Sequence, residues 1–525
     1  MLTNPPSIFN DVIGPVMRGP SSSHTAAAVR IGDLVRQLFN DDIAEVLVTF
    51  DPNGSLAHTF EGQGSAMGLA AGLMGWGVMH HDMQNAISIA KEAGLEIKFE
   101  INQVHADHPN TYSIQATAKD GVTKSIRAIS TGGGMLEIDR LNEFEISLKG
   151  DYYELFVCYK GRKSDFDIWL RKFIKDELEG AQFSKVKKDD ATLLNIKSRK
   201  SSLSLFMDKL VSELEPDWYC ETSPVLPVMS NKNYKLPFQS FNELSQYANG
   251  SNASLSDIAM EYESARSGFT EEKVFSMMKN LVLITRNAIT EGLNGTEYHD
   301  RILKQQSHLI GLKEEAGGIP LSSINKTIAY TSAIMEVKSA MGIIIAAPTA
   351  GSCGVLGGAF YGFLQDIDTD TELITRAFLA AGLIGVFIAR EYTFAAEEGG
   401  CQVECGAASG MAAAGLVEIM GGNYEQAISA ASLALQNMMG LICDPVADRV
   451  EVPCLGKNIL GSTNAQNSAI MSMAGYDQVI PLDQVIEVMK KVGNEMPASL
   501  CCTGQSGLSV TVCAKEIHKK LKSNT

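Results

Sequence analysis

From residue 241 onward the chain reads as a succession of helices built largely from small or unbranched residues, and this constrains its fold most. Segments such as "LITRAFLAAGLIGVFIAR" and "YEQAISAASLALQNMMGLI" are rich in Ala, Gly, Leu and Met, and strand signals nearly vanish. Helices with so little side-chain bulk can approach backbone to backbone. Residues 241–525 are therefore expected to form an all-α domain with tight helix contacts.

Upstream the texture differs. Residues 1–150 mix helical spacing, in "HTAAAVRIGDLVRQLF" and "MQNAISIAKEAG", with strand candidates "IAEVLVTF" and "LEIKFEI". "HPNTYSIQATAKDGVTKSIRAIS" reads as two strands joined at Asp120–Gly121, a hairpin signal. Helices against an antiparallel sheet predict an α+β domain. Residues 151–215 alternate strand "YYELFVCY", helix "DFDIWLRKFIKDEL", strand "ATLLNIKS" and helix "LSLFMDKLVSEL", and 216–240 form a Pro- and Asn-bearing linker. The expected class is multidomain, as a length of 525 residues requires.

The net charge of −17 argues against a nucleic-acid or anionic-membrane binder, since both need a basic face. The start of the chain shows no export signal, which leads to a cytoplasmic expectation. Met341 to Leu364 is broken by Pro348 and glycines, and the apolar run between Arg376 and Arg390 is too short to cross a bilayer; both are expected to be buried helices. The ten cysteines lack the short, loop-rich frame of a secreted disulfide protein, so they read as thiols or metal ligands.

Cys401, Cys405, Cys443 and Cys454 crowd into "GGCQVECGAASGMAAAG" and "CDPVADRVEVPC". Thiolates are soft ligands suited to Fe–S clusters, zinc or copper(I). Cys401 and Cys405, four apart, would share a helical face, and Cys443 and Cys454 would sit on a loop. The spacing matches no standard zinc or ferredoxin pattern, so buried core cysteines are an equal reading, and it cannot select three ligands from four. In "RGPSSSHTAAA", Ser21, Ser22 and Ser23 precede a helix where backbone donors suit a carboxylate or phosphate, and His24 could move a proton. The plain alternative is a capped helix. "AAPTAGSCGVLGG" could make an anion nest or permit close helix packing.

Taken together, these motifs resemble the iron–sulfur-dependent L-serine dehydratases, in the form that fuses the β and α parts in one chain. "SIFNDVIGPVMRGPSSSHTAAAVRIG", "HPNT" and "TGGGMLEI" are similar to the β part. "APTAGSCG", "GGCQVECGAASGMAAA", "CDPVADRVEVPC" and Asn464–Ala465 are similar to the α part, in the family's order. The resemblance implies a [4Fe–4S] cluster on Cys401, Cys443 and Cys454, with Cys405 and Cys353 as neighbours. One iron is then left open to act on a β-hydroxyl, and no pyridoxal phosphate is needed. It further implies conversion of L-serine to pyruvate and ammonia in an oxygen-sensitive, cytoplasmic enzyme of amino-acid catabolism. The partners implied are a small amino acid and, as a homodimer, a second copy of the chain, but no nucleic acid or membrane. Ser21, Ser22, Ser23 and Thr25 are the implied substrate contacts, with His24, Gln63 and Lys338 as candidates for the catalytic work. Asn437 and Asn458 are expected to be structural. The 151–215 unit looks like a degenerate ACT-like module.

Departures from the family pattern gather where substrate is expected. Glu61 to Ala66 replace a Lys-Gly-His-Gly-Thr-Asp stretch, so Gln63 stands in place of an imidazole. Lys338 replaces an asparagine, "EYTFAAEEGG" replaces a run richer in Ser and Gly while keeping Glu398, and Cys501–Thr503 replace Arg-Glu-Thr. Cys501 and Cys502 read as buried thiols, with approach to the open iron as the sharper alternative. Competing functional readings are a cysteine desulfidase-type elimination, another small amino-acid substrate, and a catalytically silent Fe–S protein.

Overall fold

The computed structural model describes residues 5–161, 170–172, 180–201, 215–231, 234–249, 253–298 and 301–523. The N-terminal part is a six-stranded sheet built from β1 (Ile43–Phe50), β2 (Glu96–Ile101), β3 (Thr111–Ala118), β4 (Thr123–Gly132), β5 (Met135–Leu141) and β6 (Phe144–Leu148). Their order is β2-β1-β3-β4-β5-β6. Alternation places Val46, Val48 and Phe50 of β1 inward. The Asp120–Gly121 hairpin is present, with Gly121 at a φ of +88°. The sheet is not wholly antiparallel as expected: β2 lies parallel to β1, because a helical crossover separates the two strands. Helices Ala27–Gln37 and Ser65–Leu73 pack together through Gly32, Gly68 and Gly72. A Cβ at Gly72 would strike the Val29 carbonyl.

A second sheet holds β7 (Tyr153–Lys160), β8 (Gln182–Lys188), β9 (Ala191–Ser198) and β10 (Trp218–Thr222), in the order β10-β7-β9-β8, all antiparallel. This is the strand order of a split β-α-β unit. β8 was not foreseen, and β10 comes from the stretch read as a linker. Residue 218 onward is drawn into the sheet because β10 supplies the neighbour that the edge of β7 otherwise lacks. Most of the two helices expected here, in 165–178 and 203–214, lies outside the described residues.

Beyond residue 241 the expectation of an all-α domain holds, with the two-residue strand Ile344–Ile345 the one exception among the described residues. Helix Thr371–Glu391 runs through the centre against helix Cys405–Ile419, which packs in turn on Tyr424–Asn437 and Cys454–Met473. Thr371–Glu391 is long and apolar enough to cross a membrane, yet Phe378, Leu379, Leu383, Ile384 and Ile388 are all buried within the domain. Each such side chain contributes roughly 1.5–3 kcal/mol on burial. The glycine-rich stretch serves close packing: Gly357 and Gly358 in helix Gly354–Leu364 leave no room for a Cβ against Thr285 and Thr331.

The two parts are interlocked at the start of the chain. Ile8, Phe9, Val12, Ile13 and Met17 sit in the core of the helical domain. Buried Glu263 accepts hydrogen bonds from Ser7 Oγ at 2.7 Å and Ile8 N at 2.8 Å. Asn10 exchanges two hydrogen bonds with the Val228 backbone, and Val16–Met17 pairs antiparallel with Ile344–Ile345. The β part is thus held by backbone and side chain against the domain that carries the cysteines.

Backbone contact between helices makes one glycine a test of this packing. Gly292→Ala would press a methyl onto the Ala333 backbone, which cannot rotate away, and is expected to destabilise by about 1–3 kcal/mol. Gly311→Ala, in helix Ser307–Glu315 with no atom near the new methyl, is expected to be neutral or stabilising by up to about 1 kcal/mol. Denaturant midpoints of the two variants check the contrast.

Candidate active site

Three separate segments bring the cysteines together. Gly400 adopts a φ of +70° and lies 2.8 Å, at the place of a Cβ, from the Leu441 carbonyl, so the chain turns sharply into Cys401. Gln402 then clamps the next segment: its backbone N donates to Leu441 O, its Oε1 accepts from Gly440 N, and its Nε2 donates to Met489 O. Cys443 lies on an extended stretch paired with the C-terminal region: Cys443 N donates to Leu500 O at 2.8 Å and Cys502 N donates to Cys443 O at 2.9 Å. Cys454 opens helix Cys454–Met473.

That helix's next residues hold the loops. Lys457 Nζ donates to Ile442 O at 2.6 Å and Asp444 Oδ1 at 2.9 Å, and stands 3.8 Å from Cys401 Sγ. Asn458 Nδ2 donates to Gly351 O and Cys454 O, while its Oδ1 accepts from Gly354 N. Asn437 donates to Asn464 Oδ1 at 2.8 Å. Both asparagines bond to other groups of the chain, Asn458 next to Cys454.

Cys401 Sγ, Cys443 Sγ and a Glu404 carboxylate oxygen lie within 4.8 Å of one another. Cys401, Cys443 and Cys454 are each no more than 5% exposed. The Cys443 thiol is pushed well up by hydrogen bonding with Cys401 and Cys502 and by burial, and the Cys454 thiol by burial and then by Cys401. A metal displaces protons from such thiols when it binds. Soft, buried, converging sulfurs are the donor set that an iron–sulfur group requires. The expected shared helical face of Cys401 and Cys405 is absent: Cys401 lies in the short turn Cys401–Val403, and Cys405 begins the following helix. Likewise only Cys443, not Cys454, is in a loop. Cys353 points at Met335 Sδ in the helical core.

The β part supplies the other wall. His24 is fully buried in the turn Ser22–Ala26, its Nδ1 3.0 Å from Ser21 Oγ and 3.4 Å from Glu397 Oε1. Its Nε2 is 2.8 Å from Thr59 Oγ1, whose single proton goes to Ser55 O. Thr59 must therefore accept from Nε2–H, which leaves Nδ1 as the bare acceptor facing Ser21 and Glu397. Burial pushes His24 down to about 3, so the ring is neutral. Glu397 is pushed up to about 8 by burial and then by Glu404, so its contact with His24 near neutral pH is a hydrogen bond between mostly neutral groups. Its Oε2 and both amide atoms of the adjoining Asn110 are buried without a hydrogen bond among the described residues.

The other sequence candidates have defined places. Ser22 Oγ accepts from Ala350 N, Ser130 Oγ donates to the Ser23 carbonyl, and Thr25 Oγ1 donates to Gln63 O, so these residues tie the turn to its surroundings. Gln63 Nε2 donates to Cys502 Sγ at 3.3 Å. Lys338, fully buried, donates to the Val450 carbonyl between Cys443 and Cys454, and so braces the cysteine loop. Cys502 packs with Cys401 and Cys443 and holds a φ of +61°, an uncommon conformation for a residue with a Cβ. Sequence reasoning missed Glu397, Glu404, Asn110 and Thr59. Glu404 and Asn110 lie within motifs already noted, "CQVEC" and "HPNT", whereas Thr59 carries no signal of its own.

A buried group of thiols in the helical domain, with His24 and Thr59 of the α+β domain and Glu397 nearby, is a donor set that could hold a metal ion. The serine dehydratase alpha chain family model matches residues 250–509. The probable L-serine dehydratase alpha chain of Bacillus subtilis is 36% identical over 289 residues, covering 54% of this chain and 95% of that protein. The L-serine dehydratase of Streptomyces coelicolor is 26% identical over 502 residues, covering 94% and 96%. L-serine dehydratase 1 of Escherichia coli is 34% identical over 284 residues, covering 53% and 62%. The chain belongs to the L-serine dehydratases of the iron–sulfur type, and is a lyase of the ammonia-lyase kind.

Cys353, against Met335 in the helical core, stands apart from the thiol group. Cys401→Ser, Cys443→Ser and Cys454→Ser are each expected to lose most bound metal, and Cys353→Ser to keep it, as metal per chain measured by elemental analysis.

Proposed function

We propose that this protein eliminates water from L-serine, and so forms pyruvate and ammonia, on a [4Fe–4S] cluster held by Cys401, Cys443 and Cys454. The observation that carries the reading is the close approach of the buried Cys401 and Cys443 sulfurs, with Cys454 buried within electrostatic reach of Cys401, and full-length relatives named L-serine dehydratase support it. When bound, such a cluster with one iron free of protein ligands supplies a Lewis acid for the β-hydroxyl, whose departure as hydroxide is otherwise unfavourable.

The chain's own groups supply the rest. Asn110, whose amide lacks a partner, offers a donor and an acceptor to the substrate's carboxylate and ammonium. Glu404, hydrogen-bonded by Thr349 Oγ1 at 2.7 Å and 3.9 Å from Cys401 Sγ, holds the turn that presents Cys401. The interdomain contact between His108 Nε2 and Glu398 Oε1, at 3.2 Å, helps close the wall from which Glu397 projects. Burial of these groups excludes water and strengthens each electrostatic contact with the substrate.

Cys502 gives footing to a second reading. A fourth buried thiol beside Cys443 would close the cluster and leave an iron–sulfur protein without lyase activity. Anaerobically reconstituted protein separates the two. The proposal expects visible absorption that bleaches on reduction, pyruvate and ammonia in equal amounts from L-serine, and loss of activity in air. An intact cluster without turnover across β-hydroxy amino acids favours the second reading.

A further inference from the structure

We propose that Glu397 takes the α-proton of the amino-acid substrate and that His24 Nδ1, behind it, orients its carboxyl. This deepens the dehydratase reading and rests on it.

Placement is the first argument. Glu397 lies on the single turn Ala396–Gly399, just before Cys401, in the segment where this chain departs from its family's pattern. Its charge acts on both Cys501 and Cys502, and Gln63 Nε2 donates to the same Cys502 thiol at 3.3 Å. Gln63, which also meets Cys502, is a neutral amide that cannot accept a proton at ordinary pH, whereas Glu397 is a carboxyl within electrostatic reach of the same thiol.

The second argument is that one oxygen of Glu397 is unpaired where its neighbours are engaged. Glu404 is hydrogen-bonded by Thr349 and by the Cys401 thiol, and Glu398 is paired with His108 at the partly exposed wall. Tyr112 donates to Ser65, and Lys338 to the Val450 carbonyl. Glu397 Oε2 has no hydrogen bond among the described residues, and neither has the Asn110 amide beside it. Leaving such atoms buried and unpaired costs about 1–3 kcal/mol each, a cost that a bound zwitterion with its own donors and acceptors removes.

The third argument is the partner behind the carboxyl. Hydrogen bonding through Thr59 to Ser55 holds His24 with its proton on Nε2, so the Nδ1 lone pair faces Ser21 Oγ at 3.0 Å and Glu397 Oε1 at 3.4 Å. The ring stays neutral over the working range and remains an acceptor. Burial brings the Glu397 carboxyl to about 8, close to the pH at which a general base is most effective. The reaction balances on these groups. The Cα–H bond breaks, its proton goes to Glu397, and its electron pair becomes the Cα–Cβ π bond. The Cβ–O bond breaks with its pair on oxygen, and the hydroxyl leaves as water with one proton from solvent. Glu397 gives up its proton to solvent before the next turnover. The 2-aminoacrylate then adds one water and yields pyruvate and ammonia.

The test uses the full chain, reconstituted anaerobically, with Glu397→Gln, Glu397→Asp and the double variant Glu397→Gln/Gln63→His. Wild type should gain activity with rising pH up to about 8, because the base acts when ionised. Glu397→Gln should lower kcat about 10²–10⁴-fold with KM little changed, and should lose that rising limb. It should keep wild-type iron content and visible absorption. Glu397→Asp should retain part of kcat, and the added histidine should recover part of what Glu397→Gln lost. Wild-type kcat in Glu397→Gln, or loss of its cluster absorption, overturns the proposal while leaving the dehydratase reading intact. If wild type forms no pyruvate, the dehydratase reading fails. Exchange of the L-serine α-proton with deuterium, followed by NMR, then decides the role of Glu397: exchange in wild type but not in Glu397→Gln upholds it, and any other pattern overturns it.

Discussion

The site depends on keeping three loops in register while their sulfurs are withdrawn from water. Thiols attract one another weakly, so the chain achieves this with polar clamps rather than with the cysteines themselves. Gln402 holds the Gly440–Leu441 backbone, Lys457 holds Ile442 and Asp444, and Asn458 holds Gly351 and the start of its own helix. Each clamp satisfies loop carbonyls that burial would otherwise leave unpaired, which is what permits irregular backbone this deep in a helical domain. Lys338 does the same for the Val450 carbonyl.

The second dependence is between domains. The helical domain carries the sulfurs, Glu397 and Glu404, and the β part carries His24, Gln63 and Asn110. Neither set makes a site alone. Insertion of Ile8 through Met17 into the helical core, with Glu263 accepting from Ser7 and Ile8, turns two domains into one packed unit. The small-residue helices contribute by stiffness. Where Gly292, Gly358 and Gly415 let backbones meet, a helix cannot slide without collision, so the ends that bear Cys405 and Cys454 are held in place.

Much of this was legible in the sequence because it is local. The strands of the first sheet alternate with period two, the Asp120–Gly121 turn needs a left-handed residue, and the later helices are marked by Ala, Gly and Leu. The motifs around Cys401, Cys443 and Cys454 are long enough to mark a family. What escaped notice was set by non-local neighbours. β10 became a strand only because β7 had an open edge, and β2 runs parallel because of the helices between it and β1. Ser22, Ser23 and Thr25, substrate contacts by resemblance, are bonded to the surrounding chain in ways that no local pattern marks.

The sequence by itself determined the class: an α+β part, an all-α part, a soft thiolate donor set, and a neutral amide at Gln63. Those properties reside in residue type and short-range spacing, which the chain carries before it folds. The tertiary structure decided which groups are chemically active. Glu397 is an unremarkable acid in "AAEEGG" until burial raises its affinity for a proton and the fold brings His24, 373 positions away in the chain, to 3.4 Å. His24 itself becomes a hydrogen-bond acceptor only because Thr59 and Ser55 settle which nitrogen is bare. Desolvation and hydrogen-bond partnership are properties of neighbours, and neighbours drawn from two domains exist only in the folded chain.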